Sequence, residues 1–213
     1  MEKLNKIKVG ITIGDPNGIG VEVILKTFED KRIFEYFTPI VFGNTNILKE
    51  QRKHFNIKTG IKEIKEINNF HEFYLNVFNC WDEEFEIIYG NLNKKAGELS
   101  AKSIIQASDA LQKNKIDTLV TLPINKSAVQ SKIFKFKGHT DFFSKKFSGE
   151  VLMFMIHDKL KLALVTEHVP VKSISDILNE GLLDQKIEQV INSLNKDFLI
   201  NKPKIAVLGY NPH

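Results

Sequence analysis

Cysteine, tryptophan and long apolar runs are scarce in this chain of 213 residues. Its single cysteine, Cys80, excludes an internal disulfide framework and is typical of a protein in a reducing compartment. No apolar run approaches the roughly 20 residues of a membrane-spanning helix, and the first residues lack the apolar core of a secretory signal. We therefore expect a cytoplasmic protein without a membrane partner.

A large excess of charge of either sign is also missing. The chain has 30 Lys and Arg residues against 26 Asp and Glu residues, a net charge of +4, and its lysines are scattered among glutamates. Domains that bind nucleic acid are usually more basic and carry clustered cations. We therefore expect no nucleic-acid partner. The apolar content of 42% is ordinary, so a hydrophobic core can form.

Buried strands and an amphipathic helix alternate in the first 122 residues. The β-branched run 7–13 indicates a first, central strand, and 39–43 indicates a second, with Asn44 as the candidate cap of the helix that follows. Residues 117–122 indicate another strand that is buried. Apolar residues at helical spacing predict a helix over 94–113. Strand, helix and strand in this order require right-handed crossovers, so we expect an α/β fold with a largely parallel sheet.

The remaining segments have weaker patterns. Residues 60–88 alternate apolar with charged side chains, which predicts half-exposed strands near a sheet edge, with Trp81 on a solvated loop. The pattern after residue 150 predicts strands at 151–156, 160–165 and 204–208. It also predicts two helical segments within 173–194.

A glycine-rich turn joins the first strand to a helix that opens at Gly20. Residues 15–18, Asp-Pro-Asn-Gly, have the composition of a type I turn. Backbone N–H groups at such a strand-to-helix link can bind an anion. The pattern is neither a Walker loop nor the dinucleotide fingerprint. A tight turn without a ligand is an equally good interpretation.

Two histidines, His168 and His213, each follow an apolar run typical of a buried strand. Ligands of open α/β sheets bind beyond the carboxyl ends of the strands, so these two imidazoles are candidate ligands of one metal ion. Two unrelated loop histidines would explain the pattern equally well. His213 is also the last residue, and a catalytic group at a fraying terminus makes little physical sense. We therefore expect the chain to be cut short.

Two further polar segments lie earlier in the chain, after the strand predicted at 117–122. Lys126 follows a predicted strand end, and residues 138–140, Gly-His-Thr, precede a helix with phenylalanines. Thr140 is a plausible N-cap, and His139 beside a helix N-terminus would suit an anionic substrate group. The alternative is a histidine that packs under the cap.

Six motifs occur in one order along the chain: residues 11–20, 123–126, 138–140, 153–155, 166–170 and 207–213. In this combination they resemble the 4-hydroxythreonine-4-phosphate dehydrogenase family of pyridoxal phosphate biosynthesis. The resemblance implies a two-domain α/β/α fold like that of the isocitrate and isopropylmalate dehydrogenases, with the active cleft between the domains. Residues 1–123 would form the first domain and 124–213 the start of the second. It also implies a homodimer with shared active sites.

The resemblance further implies roles for particular residues. His168 and His213 match two of the family's three metal ligands, for Zn, Mg or Co, and His139 and Thr140 match its substrate-binding pair. Lys126 would lie at the catalytic cleft, and Asp15, Gly18 and Gly20 are candidate cofactor-binding residues. The implied reaction uses NAD or NADP and oxidises and decarboxylates 4-phosphooxy-L-threonine, a small phosphorylated hydroxy-amino acid, to 3-amino-2-oxopropyl phosphate.

Departures from the family pattern lead to further expectations. Asp141 stands where the family commonly has Glu, and Lys137 replaces a proline, which should loosen this loop. Family members continue well beyond the Asn-Pro-His motif with the third metal histidine, so we expect residues 1–213 alone to be inactive.

One alternative is a paralogue that acts on D-threonate or D-erythronate 4-phosphate. Another is a truncated fragment that only binds ligand.

Overall fold

The computed structural model describes residues 6–147 and 151–211. The chain divides into two compact units, Met1–Ser148 and Gly149–His213. Residues 124–147 therefore belong to the first compact unit. The predicted domains 1–123 and 124–213 follow from the two-domain fold of the family. They stay a prediction.

A five-stranded parallel sheet forms the centre of the first unit. The strands are β1 (Ile7–Thr12), β2 (Phe37–Gly43), β3 (Ile61–Ile64), β4 (Leu75–Asn79) and β5 (Thr118–Val120), in the spatial order β3-β4-β2-β1-β5. β1 lies inside the sheet with β2 and β5 on either side, which confirms the predicted central strand. β3 confirms a strand at the sheet edge, whereas β4 lies between β3 and β2 with Leu75 and Val77 fully buried, so the half-exposed strand predicted there was wrong.

The prediction of a buried strand at 117–122 was wrong, because β5 is short and half exposed. Its Val120 is 46% exposed. Within the part of the chain that the structure describes, β5 pairs only with β1, so it forms the second edge of the sheet. An edge strand has fewer neighbours to cover its side chains than an interior strand, which explains the difference.

Five helices follow the strands of this unit, and asparagine caps begin three of them. The cap of Asn44 was predicted, and its side chain accepts hydrogen bonds from the amides of Asn46 and Ile47. A 3₁₀ turn also covers Lys31–Glu35. The helices are α1 (Gly20–Thr27), α2 (Thr45–His54), α3 (Lys94–Gln112), α4 (Lys126–Val129) and α5 (His139–Lys146).

Helix α3 confirms the helix predicted over 94–113 and packs across β1 and β2. Two of its buried serines bond to the backbone where these strands end. Ser103 donates to the carbonyl of Phe42 and accepts from the amide of Ile13, at 2.6 and 3.2 Å. Ser100 donates to the carbonyl of Gly14 at 2.8 Å. These bonds satisfy buried backbone groups and fix the carboxyl edge of the sheet against α3.

Trp81 lies in the hydrophobic core, so its predicted place on a solvated loop was wrong. Its side chain is only 6% exposed. The amide of Cys80 donates to the carbonyl of Gly43, and the side chain of Asn44 donates to the carbonyl of Trp81. These two bonds turn the chain inward after β4. Burial also raises the pKa of the Cys80 thiol, as expected for a buried and unreactive cysteine.

Residues 151–211 of the second unit form a hairpin, a 3₁₀ turn at Val171–Ser173 and two helices. β6 (Phe154–His157) and β7 (Leu160–Ala163) pair antiparallel, and α6 (Ile174–Ile177) and α7 (Glu180–Lys196) confirm the two helical segments. The ammonium of Lys186 on α7 donates to the carbonyl of Val151 at 2.7 Å. The strand predicted at 204–208 is wrong, since these residues are exposed and pair with none of the described strands.

Across residues 6–147 and 151–211, no helix has both the length and the apolar character to cross a bilayer. The helices are instead amphipathic, as is typical where one side packs against a core.

Candidate functional site

Two loops meet at the carboxyl edge of the sheet in the first unit. The amide of Asp15, after β1, donates to the carbonyl of Pro123, after β5, at 2.9 Å. Gly14 has a φ of +68°, and a Cβ at this position would lie 2.3 Å from the Pro123 oxygen. Only glycine allows both this backbone conformation and this close approach. The turn 15–18 is thereby held against the segment that leads to Lys126.

Backbone amides of the turn 15–18, which could in principle bind an anion, form hydrogen bonds within the protein. The amide of Gly18 donates to the carbonyl of Asp15, and the amide of Asn17 donates to the Asp15 carboxylate, each at 2.9 Å. The predicted turn is confirmed. Burial raises the pKa of Asp15, against the opposing effect of the Asn17 amide. Cofactor binding by Asp15, Gly18 and Gly20 stays a prediction, and the amides of residues 15, 17 and 18 are already bonded within the protein.

Asn17 is a structural residue of this site that sequence reasoning missed. It is 2% exposed, and its side chain accepts from the amide of Ile88 at 3.0 Å and donates to the carbonyl of Asn91 at 3.2 Å. Its own carbonyl accepts from the amide of Gly90 at 2.8 Å. Asn17 thus joins the turn to residues 88–91, more than 70 positions away. No local sequence signal reveals such a contact.

Replacement of Asn17 by alanine is expected to lower the free energy of unfolding by about 1–3 kcal/mol, because the change removes two hydrogen bonds that its buried side chain makes with the backbone of residues 88 and 91, each worth about 0.5–1.5 kcal/mol. Urea denaturation measures this loss, and amide hydrogen exchange at Ile88 should become faster. The matched control is Asn46→Ala, at an exposed asparagine in the first turn of α2. Equal stabilities of the two variants would contradict the role given to Asn17.

Lys126 is the first residue of α4. The Asn125 side chain caps this helix by accepting from the amides of Ser127 and Ala128, at 3.0 and 3.1 Å. The Cε atom of Lys126 lies 3.8 Å from the position that a Cβ would occupy at Gly138. The structure therefore brings Lys126 close to the segment that contains Gly138 and His139. The sequence had indicated only that both segments belong to motifs of one family.

Helix α5 begins at His139, with Gly138 as its N-cap, so the prediction that Thr140 caps this helix was wrong. Thr140 is an exposed residue of the first turn. The helix start is held by Asp141, whose carboxylate accepts from the amide of Lys137 at 3.1 Å. A proline has no amide hydrogen and could not make this bond. The two departures from the family pattern, Lys137 and Asp141, are thus directly bonded, which opposes the expected loosening of the loop.

The imidazole of His139 is half-buried and has an unused polar atom. Its ring is parallel to that of Phe143, with the centroids 6.1 Å apart. Its Nε2 is buried, and among residues 6–147 and 151–211 no atom forms a hydrogen bond with it. Burial lowers the pKa of His139, which favours the neutral ring. A neutral imidazole offers one donor and one acceptor, so this site suits a polar ligand group.

Acidification is expected to destabilise the protein through His139. Because the pKa of this group is below its ordinary value of 6.5 in the folded state, the unfolded chain takes up the proton first as the pH falls. The free energy of unfolding should decrease as the pH is lowered through 6.5, and this contribution should level off below the folded pKa. Urea denaturation between about pH 8 and pH 5 checks it. The contribution should be missing in His139→Gln, and an identical pH dependence of both proteins would contradict it.

His168 lies in the second unit, after β7. It is exposed and has a φ of +55°, a conformation in which histidine is enriched among non-glycine residues. One carboxylate oxygen of its neighbour Glu167 is buried, and no described residue forms a hydrogen bond with it. An imidazole and a carboxylate oxygen are both suitable ligands for a divalent cation such as Zn²⁺. Glu167 was missed from the sequence, although a carboxylate next to a predicted metal ligand is itself a signal.

Glu167 and His168 are of residue types that bind divalent cations. Nowhere in the described ranges do three His, Cys, Asp or Glu side chains form a group that could hold a metal ion. His213, the second predicted ligand, lies outside the described residues. Its approach to His168 therefore stays a prediction.

The fold is the α/β fold of the isocitrate and isopropylmalate dehydrogenase type, as the resemblance implied. The crystal structure of a 4-hydroxythreonine-4-phosphate dehydrogenase from Burkholderia phymatum matches with a TM-score of 0.84 and 26% identity, over 98% of this chain and 64% of that one. Residues 35–213 match the family of the pyridoxal phosphate biosynthetic protein PdxA, and the chain belongs to this family.

Two relatives of this family illustrate what the chain is similar to. A 4-hydroxythreonine-4-phosphate dehydrogenase from Bacteroides thetaiotaomicron is 35% identical over 98% of this chain and 58% of its own length. A protein from Oceanobacillus iheyensis, provisionally named a D-threonate 4-phosphate dehydrogenase, is 28% identical over 96% of this chain and 63% of its own length. The chain thus spans about three fifths of the length of these relatives.

Proposed function

We propose that this protein catalyses the NAD- or NADP-dependent, metal-assisted oxidation and decarboxylation of 4-phosphooxy-L-threonine to 3-amino-2-oxopropyl phosphate in pyridoxal phosphate biosynthesis. Membership of the PdxA family supports the reaction class. The structural observation that carries the proposal is the position of the Lys126 side chain beside Gly138, the residue that precedes His139. A cation and an imidazole on neighbouring segments are groups that suit an anionic hydroxy acid.

The chain's own residues would bind and orient the substrate. The unpartnered Nε2 of His139 would form a hydrogen bond with a polar substrate group, and the exposed Thr140 hydroxyl would add a second. The Lys126 ammonium would attract a carboxylate or phosphate group. His168, with His213, would hold the divalent cation. When bound, that cation would supply Lewis-acid chemistry at the alcohol, and a nicotinamide cofactor would supply the hydride acceptor.

The test is the formation of NADH or NADPH by the complete product of the gene. The purified protein is incubated with 4-phosphooxy-L-threonine, either cofactor, and Zn²⁺, Mg²⁺ or Co²⁺, and absorbance is followed. We expect turnover that EDTA abolishes and that one of these metals restores. Absence of reduced cofactor under all of these conditions would refute the proposed activity.

A second candidate substrate is D-threonate 4-phosphate, with D-erythronate 4-phosphate as its close analogue. The provisional name of the Oceanobacillus iheyensis relative favours this alternative. The two substrate classes differ in an amine or a hydroxyl at one carbon. The ratio of kcat/KM values across the three phosphates decides between them, and a higher value for either sugar acid would assign the chain to the alternative.

We also propose a homodimer with shared active sites and neither nucleic-acid nor membrane partners. Hairpin β6–β7 supports an interface, because Met155, Ile156 and Leu160 are large apolar side chains that are more than half exposed. Sedimentation velocity of the complete protein should give the mass of two chains. A monomer at micromolar concentration would contradict the assembly without affecting the proposed chemistry.

A further inference from the structure

Positive charge is concentrated around the candidate substrate residues. Residues 126–146 contain six lysines and one aspartate, a charge of +5, whereas the whole chain carries only +4. The rest of the chain is therefore close to neutral. The expectation that lysines are evenly scattered among glutamates does not hold for this segment, which includes α4, α5 and the loop between them.

The lysines of this segment differ in their partners. Lys145 pairs with Asp141 at 3.8 Å, and Lys146 pairs with Asp109. Lys132, Lys135 and Lys137 are exposed, and within the described part of the chain no carboxylate lies within ion-pair distance of them. Their three charges are thus uncompensated locally, and all three lie in the loop that ends at Gly138.

This loop is held in place by packing and backbone hydrogen bonds. Ser131 and Phe134 exchange two backbone bonds, of 3.1 and 3.2 Å. The ring of Phe134 is fully buried and stacks on Phe142 with a centroid distance of 5.2 Å, and Phe136 packs against both rings. The backbone that carries the three lysines is therefore anchored, so their charges stay close to the start of α5.

The loop is continuous with the candidate substrate site. It ends at Gly138, next to the side chain of Lys126, and His139 follows directly. Burial lowers the pKa of His139, so near neutral pH this imidazole adds no charge. Attraction of a multiply charged anion to this part of the surface must therefore come from lysines.

We propose that Lys132, Lys135 and Lys137 form an anion-attracting rim that draws a phosphorylated substrate toward Gly138 and His139. The identity of that substrate rests on the proposed function, whereas the attraction of phosphate does not. The rim acts through the long-range field of its charges, which raises the local concentration of a phosphate dianion and its association rate. It requires no direct contact between these ammonium groups and the reacting carbon.

The experiment compares two triple variants of the complete protein. K132Q/K135Q/K137Q removes the rim, and K31Q/K113Q/K115Q removes three exposed lysines from the turns that precede β2 and β5, at the opposite edge of the sheet. Binding of inorganic phosphate is measured by calorimetry in roughly 0.01 M and 1 M NaCl, between which the Debye length falls from about 30 Å to about 3 Å. At low salt, we expect the rim variant to bind phosphate on the order of tenfold more weakly, with little change in the control.

A second measurement links the rim to turnover. With 4-phosphooxy-L-threonine, loss of the rim should lower kcat/KM on the order of tenfold at low salt, and the difference should vanish at high salt. If the wild-type protein forms no reduced cofactor, the proposed function fails. The phosphate measurement still tests whether the three lysines of the rim attract phosphate. Wild-type phosphate affinity in the rim variant, or an equal loss in the control, would overturn the rim. So would tight binding of a short RNA that millimolar phosphate does not displace.

Discussion

Replacing His168 with alanine is expected to lower kcat/KM for 4-phosphooxy-L-threonine on the order of 10³-fold. A Lewis-acid cation contributes several kcal/mol to such a reaction, and each 1.36 kcal/mol corresponds to about a factor of ten in rate. His157→Ala is the matched control, because His157 is an exposed histidine of the same unit at the end of β6. It should retain the wild-type rate.

Two further measurements separate loss of the metal from loss of the fold. Because His168 has a φ of +55°, alanine is strained at this position and glycine is not. His168→Gly should therefore regain any stability that His168→Ala loses, while its activity stays low. Metal content by atomic emission should fall in both variants and not in His157→Ala. Full activity with a normal metal content in His168→Gly would refute the assignment of His168 as a ligand.

The sequence predicted correctly those elements that depend on residues close together in the chain. Helix α3 begins and ends within one residue of the predicted 94–113, because its apolar and small residues repeat at helical spacing. The Asn44 cap followed from the type of residue before α2. The turn at residues 15–18 was predicted for the same reason, since its proline and glycine act on the local backbone.

The errors arose where distant residues determine the local environment. Trp81 precedes an acidic run that indicates a loop, yet bonds with residues 43 and 44 turn it into the core. The exposure of β5 depends on which strands pair with it, and sequence pattern does not supply pairing partners. In the candidate site, the bonds of Asn17 with residues 88–91 and the approach of Lys126 to Gly138 are likewise tertiary. Only the residue types of the site were predictable.

Gly97→Ala is expected to destabilise the protein by about 1–2 kcal/mol, because Gly97 of α3 lies against the backbone of α4. A Cβ at Gly97 would lie 1.9 Å from the carbonyl oxygen of Ala128 and 2.6 Å from the amide nitrogen of Val129. Backbone atoms cannot move aside by a change of rotamer, so the two helices must separate. Overpacking costs typically about 1–3 kcal/mol, and the better helix propensity of alanine offsets up to about 1 kcal/mol.

The same substitution tests how packing positions the site. Helix α4 begins with Lys126, so a displacement of its backbone should move this ammonium away from Gly138 and raise KM for the anionic substrate. Gly181→Ala is the control, since a Cβ in α7 would meet only the Asn179 side chain, at 3.5 Å, and should not reduce stability. Urea denaturation and steady-state kinetics measure both effects. A Gly97→Ala protein with the stability and KM of the Gly181→Ala protein would show that contact between α3 and α4 does not hold Lys126 in place.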